Sequence, residues 1–153
     1  MRIVEIEIIP ISVPLRRAHK MGIGTVGKIT SVLLLIKTDI GVVGIGEASP
    51  SSLFSYETQE GDAAILSKYI GPFLLNKDPY DLEAVMSVLD KNVKGNPFAK
   101  TAVDLAFYDI MGKTSGIPVY RLLGGRVRDE ILMSWSLATS DIEKDIHEAE
   151  RYR

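Results

Sequence analysis

The sequence contains no cysteine and only two histidines, His19 and His147. Without cysteine the chain has no disulfide framework and no thiolate metal site, which favours a reducing compartment. The two histidines are far apart in sequence, and neither occurs in a metal-ligand spacing such as H-E-x-x-H. The residues themselves therefore predict no metal centre within this chain.

Charge and long apolar runs are also scarce. The formal net charge is −2, which is too small to indicate binding to nucleic acid or to an acidic membrane surface. The longest apolar run, Val32 to Ile36, is far too short to span a bilayer, and the first residues lack the layout of a signal peptide. We expect a cytoplasmic protein with no nucleic-acid partner and no membrane partner.

Three early segments have the alternating pattern of β-strands: Ile3 to Val13, Ile29 to Lys37 and Val42 to Glu47. The last two are separated by a turn in which Gly41 supplies the positive φ that a tight hairpin needs. In the first segment, the apolar and acidic side chains are expected on opposite faces: Val4, Ile6 and Ile8 against Glu5 and Glu7. The pattern predicts a three-stranded antiparallel meander.

Two irregular segments accompany these strands. Pro14 to Lys28 contains three glycines and no periodicity, which predicts a mobile loop. Ala48 to Ser55 is rich in serine and proline and predicts a second loop. Between the loops, Gly44 and Gly46 could suggest a phosphate loop, but they lack the strand, turn and helix context, and they better suit a strand packed closely on its neighbours.

Helical periodicity begins at Glu57 and continues to Leu75, although Gly71-Pro72 should end or kink that helix. A second helix is predicted after Asp78 as N-cap and Pro79 at the first helical position. Its apolar stripe consists of Leu82, Val85, Met86 and Leu89.

The strongest helical pattern runs from Pro97 to Lys113, with Asn96 as the expected N-cap and a predicted end near Gly116. It is apolar over more than half of its circumference, which is typical of a central core helix. Residues 1–127 are therefore predicted to form an α+β domain in which a meander precedes a helical bundle.

Three further elements are expected after this helix. Val119 to Leu123 predicts a short helical turn, Ile131 to Ala138 a strand, and Asp141 to Arg153 a charged helix. The last helix shows no glycine or proline stop signal, so we expect a chain that is cut at this point. An isolated apolar strand would have uncovered edges and faces, and we expect it to aggregate or to order poorly.

Two carboxylates of the core helix, Asp104 and Asp109, could be read as a catalytic pair. Five residues apart, they lie about 140° apart around the helix axis, so they do not converge on one ligand. We predict structural roles, with Asp109 accepting hydrogen bonds from backbone or from an arginine.

Several elements occur in the order seen in one enzyme family: GIGEA at Gly44 to Ala48, KGNPFAK at Lys94 to Lys100, LLGGRVRD at Leu122 to Asp129 and SWSLATSD at Ser134 to Asp141. With the strand, loop and strand at the start, they resemble the amino-terminal capping domain of the mandelate racemase/muconate lactonizing branch of the enolase superfamily, and muconate cycloisomerases most of all. The resemblance implies a capping domain over residues 1–127 and the first βα unit of an incomplete (β/α)₈ barrel over residues 128–153.

In that family, two loops of the capping domain close over the barrel and select the substrate. The resemblance places His19, Lys20 and Met21 in the first loop. It places a second group in the other loop: Ser51, Phe54 and Tyr56. A basic loop and a phenol suit a small-molecule carboxylate substrate. The alternative is that Lys20 is a solvated surface residue and Tyr56 a packing residue at the start of a helix.

The family reaction implied is proton transfer at the carbon next to a carboxylate, assisted by a divalent metal, Mg²⁺ or Mn²⁺. The acid/base Lys-x-Lys element and the acidic metal ligands would lie beyond Arg153, so no catalytic or metal-binding residue is assigned here. The chain alone is expected to be inactive. Capping loops in this superfamily also imply a homo-oligomer.

The substrate remains open between several related classes. Ser51 stands where muconate enzymes tend to have an aliphatic residue, so a racemase or epimerase of dipeptides or N-acyl amino acids, or a dehydratase, is an alternative. A second alternative is a binding or structural module that has lost the barrel and catalyses nothing.

Overall fold

The computed structural model describes residues 1–22, 24–134, 136–137 and 141–152. These residues form two compact units. The first consists of Met1–Ile11 and Thr30–Arg126, and the second of Ser12–Ile29 together with the residues from Val127 onward. The division into domains after residue 127 stays a prediction.

The three predicted strands form one sheet in the order β1-β2-β3, with bounds β1 Ile3–Met21, β2 Gly24–Thr38 and β3 Val43–Ala48. β2 and β3 are antiparallel, and their register runs from Val32 opposite Ala48 to Lys37 opposite Val43. The turn between them contains Gly41 at a φ of 80°, a left-handed conformation that favours glycine. The predicted meander is confirmed.

The prediction of a mobile loop from Pro14 to Lys28 was wrong. β1 continues to Met21 and β2 begins at Gly24. The two strands are hydrogen-bonded neighbours, and pairing of the backbone groups stabilises extended structure whether or not the side chains alternate.

The predicted inner face of β1 was wrong at one position, because Val4 is 55% exposed whereas Ile3 is fully buried. The backbone N–H of Ile3 donates to the carbonyl of Lys77 at 3.0 Å, and the Ile3 carbonyl accepts from the N–H of Asn76 at 2.9 Å. These two bonds hold Ile3 against the core. Further along the strand, Ile6 packs on the core as predicted.

The first helical segment begins with α1 (Gln59–Ile65), passes through a π-helical turn (Leu66–Ile70) and ends with α2 (Gly71–Leu74). Pro72 therefore does not end the helix; it lies at the start of α2, just after the π-helical turn. Proline has no N–H and its ring crowds the preceding turn, and the wider π-turn directly before it accommodates both effects.

The second helix follows the predicted cap. The Asp78 side chain accepts from the N–H of Tyr80 at 3.0 Å, a 3₁₀ turn spans Pro79–Asp81, and α3 spans Leu82–Asn92. The predicted apolar stripe of this helix faces the core, with Met86 partly buried and the others buried: Leu82, Val85 and Leu89.

The core helix α4 spans Pro97–Ser115 and ends at Gly116 with a φ of 67°. Its buried side chains lie between β3 and the other helices: Ala99, Ala102, Val103, Ala106, Phe107 and Ile110. A short helix, α5 (Val119–Leu122), follows. Over the residues that the structure describes, no helix is both long enough and apolar enough to cross a membrane.

β3 packs directly on α4 because it carries glycine at two inward positions. A Cβ built on Gly46 would overlap the backbone carbonyl of Ala102, and one on Gly44 would overlap the carbonyl of Ala106. The interpretation of these glycines as close-packing residues is confirmed.

The predicted final strand is not formed in the part that the structure describes, residues 131–134 and 136–137. The described residues provide no strand beside it, and a parallel strand needs a hydrogen-bonded neighbour. Ala138, the last residue of that prediction, lies outside the described residues. The helix that follows is confirmed as α6 (Ile142–Arg151), with the Asp141 side chain accepting from the N–H of Lys144 at 3.3 Å.

Candidate functional site

The first predicted group occupies the end of β1, in the second unit. His19 and Met21 are half-buried, and Lys20 is exposed. Alternate residues of a strand point to opposite faces, so Lys20 points away from the face that carries His19. The structure therefore places the three residues on a strand rather than on the loop that the sequence predicted.

His19 lines a surface pocket of about 480 Å³ in the second unit. The other lining residues come from β1 and from α6: Leu15, Arg16, Arg17 and Glu148. Three of the four residues from β1 carry basic or imidazole side chains, which agrees with the prediction of a basic segment here.

An ion pair joins β1 to α6 beside this pocket. Nη1 of Arg17 lies 2.6 and 2.7 Å from the two carboxylate oxygens of Glu148. Nη2 of Arg17 donates to the carbonyl of Ser136 at 3.5 Å. The hydrogen bond that Arg17 donates to Glu148 raises the pKa of Arg17, so this guanidinium stays charged.

The second predicted group lies in the first unit, between β3 and α1. The carbonyl of Ser51 accepts hydrogen bonds from the N–H of Phe54 at 2.8 Å and of Ser55 at 2.7 Å. This turn projects Phe54, whose side chain is 67% exposed, while Ser51 is half-buried.

Tyr56 is 85% exposed, although it directly precedes a buried residue. The alternative interpretation, in which Tyr56 packs at the start of a helix, is therefore wrong for this structure. Phe54, two residues earlier, is exposed as well, so this segment carries two exposed aromatic side chains and one phenolic hydroxyl.

Glu57 anchors the end of this loop, a role that the sequence analysis did not predict. Its carboxylate accepts from the backbone N–H of Phe98 at 3.3 and 3.2 Å, and the residue is only 6% exposed. It therefore caps the N-terminus of α4, where the first backbone N–H groups lack acceptors within the helix. The expected cap, Asn96, makes no capping bond, because it adopts a left-handed conformation and its amide donates to the Lys94 carbonyl.

Asp62 is a second buried carboxyl that the sequence did not single out. It is fully buried, and neither carboxyl oxygen has a hydrogen-bond partner among the described residues. Burial first, and then the neighbouring Glu57 carboxylate, raise the pKa of Asp62 to about 7. The neutral, protonated form of Asp62 is therefore favoured beside the negative charge of Glu57.

Asp109 of α4 has a structural role, as predicted, whereas the structural role of Asp104 stays a prediction. Oδ2 of Asp109 accepts from the N–H of Ile45 at 2.8 Å and lies 2.6 Å from Nζ of Lys113. Lys113 also donates to the carbonyl of Val43 at 2.8 Å. The partner is a lysine, and together these bonds fasten β3 to α4. Burial, and then the charge of Glu83, raise the pKa of Asp104.

Within the described ranges, no three histidine, aspartate or glutamate side chains are grouped so that they could hold a metal ion. The Glu57 carboxylate accepts hydrogen bonds from the α4 backbone, and the raised pKa of the buried Asp62 favours its neutral form, which is a poor metal ligand. The residues described here therefore do not fit a divalent metal, and we assign none of them to one.

Residues 3–124 match the family described as mandelate racemase / muconate lactonizing enzyme, N-terminal domain. The chain belongs to this family. Its sheet, its helices and the loop from β3 to α1 are thus those of the amino-terminal domain of the mandelate racemase/muconate lactonizing enzymes.

Individual members of the family agree with this assignment. Muconate cycloisomerase 1 of Pseudomonas putida is 40% identical over 89% of this chain and 37% of its own length. The muconate lactonizing enzyme of Pseudomonas fluorescens, solved with muconolactone, is 34% identical with a TM-score of 0.93 over 97% of this chain and 41% of that one. The N-succinyl Arg/Lys racemase of Bacillus cereus is 32% identical with a TM-score of 0.94 over 99% and 41%.

The chain thus spans about two-fifths of the length of these relatives. They are isomerases with different substrates, as their names state. The similarity therefore identifies the family and the fold, and it leaves the substrate to be established.

Proposed function

We propose that this chain is the substrate-capping part of a cycloisomerase of the muconate-lactonizing type. In this proposal the reaction transfers a proton at the carbon next to a carboxylate. Lys20 and the Tyr56 hydroxyl pair with a carboxylate of the substrate, and Phe54 and Ser51 shield it from water. His19 and Met21 line the approach from β1.

The observation that carries the proposal is the exposure of Tyr56 beside a firmly anchored neighbour. The side chain is 85% exposed, yet the next residue, Glu57, is buried and bonded to the α4 backbone. Anchoring of the adjacent residue limits the backbone freedom of Tyr56, so less backbone entropy is lost when its side chain binds a ligand.

The remaining chemistry is proposed to reside outside this chain. A divalent metal, Mg²⁺ or Mn²⁺, would stabilise the charge that develops on the substrate carboxylate. The acid/base lysines would lie beyond Arg153, and the 153-residue chain alone would be inactive. We further propose a cytoplasmic homo-oligomer that binds neither nucleic acid nor membranes.

One related function is supported by a specific observation. The racemase of Bacillus cereus superimposes on this chain as well as the muconate lactonizing enzyme does, with TM-scores of 0.94 and 0.93. A racemase or epimerase acting on N-acyl amino acids or dipeptides, or a dehydratase, is therefore the second candidate. A non-catalytic binding module is the third.

The deciding experiment begins with the intact mass of the complete product of the gene. A mass of about 40 kDa would accommodate a barrel, and that protein would be assayed with muconate, N-succinyl amino acids and dipeptides in the presence of Mg²⁺ and of Mn²⁺. Turnover of muconate supports the first candidate, and turnover of another class supports the second. A mass of 16.8 kDa, equal to that of this chain, refutes both.

The capping role is tested separately with Tyr56→Phe in the same protein. We expect the KM to rise about fivefold, the value of one modest hydrogen bond. Tyr69→Phe is the matched control, because Tyr69 is also exposed, at 57%, and lies on the π-turn away from the loop. Equal effects of the two changes contradict the proposal.

A further inference from the structure

The interaction between Arg17 and Glu148 is the strongest described contact between the end of β1 and α6. Two short distances, 2.6 and 2.7 Å, join them. The Glu148 side chain is only 18% exposed and that of Arg17 is 39% exposed. Partial burial and two charge-assisted contacts distinguish it from an ordinary surface ion pair.

Glu148 lies among several basic side chains whose positive charge it offsets. Arg17 shares a second surface pocket, of about 530 Å³, with Lys144, His147 and Arg151 of α6. Glu143 and Glu148 are the acidic side chains that line this pocket. Glu148 therefore offsets the positive charge of these basic groups around Arg17.

The position of Arg17 in β1 relates this contact to the candidate site. Arg17 and His19 lie two residues apart, so they share one face of the strand, and both line the pocket beside Glu148. Lys20 belongs to the opposite face and is exposed. The ion pair keeps the face of β1 that carries Arg17 towards α6, so Lys20 on the opposite face points away from α6.

We propose that the Arg17–Glu148 pair fastens the end of β1 to α6 and so fixes the direction in which Lys20 is presented to a carboxylate substrate. Both are positioning residues rather than catalytic ones. The attachment of β1 to α6 is inferred from the contacts described above, whereas its effect on the substrate rests on the proposed function.

The fastening is tested by hydrogen exchange of residues 12–22 in the 153-residue chain. Glu148→Gln should exchange about fivefold faster than the wild type, as expected for the loss of a pair at the upper end of the surface range. Glu150→Gln, an exposed glutamate on the same helix, should not change the rate. The reversed pair, Arg17→Glu with Glu148→Arg, should restore most of the protection that either single reversal removes.

The effect on the substrate is tested by kinetics of the complete gene product. Glu148→Gln should raise the KM about fivefold and leave kcat within about twofold, because binding and not chemistry is altered. Unchanged exchange in Glu148→Gln overturns the fastening. Faster exchange with an unchanged KM overturns its role in substrate binding. If the wild type turns over no carboxylate, the proposed function fails, while the exchange experiment still decides the fastening.

Discussion

Glu57 accepts hydrogen bonds from the backbone N–H of Phe98, a residue 41 positions later in the chain, at 3.3 and 3.2 Å. A buried carboxylate thus serves the N-terminus of α4, where the helix dipole favours negative charge. The same residue directly follows Tyr56. The start of the core helix and the end of the candidate loop are therefore stabilised by one side chain.

Replacing Glu57 with alanine should lower the free energy of unfolding by about 2 kcal/mol, since it removes a helix cap and leaves a buried N–H without its acceptor. Urea denaturation followed by circular dichroism measures this loss. Glu60→Ala is the control, because Glu60 is exposed, and it should change stability by less than about 0.5 kcal/mol. Similar losses in both variants would show that Glu57 does not cap α4.

The buried Asp62 should make stability depend on pH near neutrality. Its pKa is raised to about 7 in the folded state, against about 3.9 in an unfolded chain. The folded state therefore holds the proton more tightly, so stability is greatest below about pH 4 and is lost as the pH rises through about 7.

Asp62→Asn should remove this dependence, because an amide does not titrate and can donate to Glu57. Urea midpoints measured from pH 5 to 8 should fall further in the wild type than in Asp62→Asn. The exposed Asp81 provides the control, and Asp81→Asn should follow the wild type. Parallel curves for the wild type and Asp62→Asn would refute the raised pKa of Asp62.

Gly46→Ala should destabilise the domain by roughly 3 kcal/mol or more, because the added methyl group would overlap the Ala102 carbonyl and overpacking forces backbone shifts. Gly27→Ala is the matched change, since a Cβ on Gly27 meets nothing within 4 Å. Thermal unfolding of both variants measures the difference. A Gly46→Ala protein with a wild-type melting temperature would contradict the packing of β3 on α4.

Exposed apolar side chains after the first unit should make the 153-residue chain self-associate. Leu132 is 96% exposed and Met133 is 92% exposed, and contiguous exposed apolar surface promotes association. Leu132→Ser should therefore shift the mass measured by light scattering towards the monomer. Ile40→Ser, at a turn where the side chain is 60% exposed, should have a smaller effect. A monodisperse wild-type monomer would contradict this prediction.

Some features followed directly from local patterns. The positive φ of Gly41, the cap at Asp78 and the end of α4 at Gly116 were predicted and are confirmed. Each depends on the conformational preference of one residue or on a hydrogen bond spanning two or three positions. Such features are encoded within a few residues of the chain, which is why the pattern reveals them.

The candidate site itself stays a prediction. The resemblance to a family located the two segments, with Lys20 in one and Tyr56 in the other. It did not reveal that Lys20 lies on a strand or that Tyr56 stays in solvent. The direction of a side chain depends on strand pairing and on neighbouring turns, which the composition of Pro14 to Lys28 did not disclose.

The sequence by itself determined the α+β class, the three-stranded meander, the central apolar helix and the family. Only the tertiary structure decided that Ile3 rather than Val4 enters the core, that Glu57 caps α4, and that Arg17 meets Glu148. The physical reason is the range of the interactions. Periodicity and turn preferences act within one element, whereas a buried carboxylate or an ion pair selects a partner that only folding brings close.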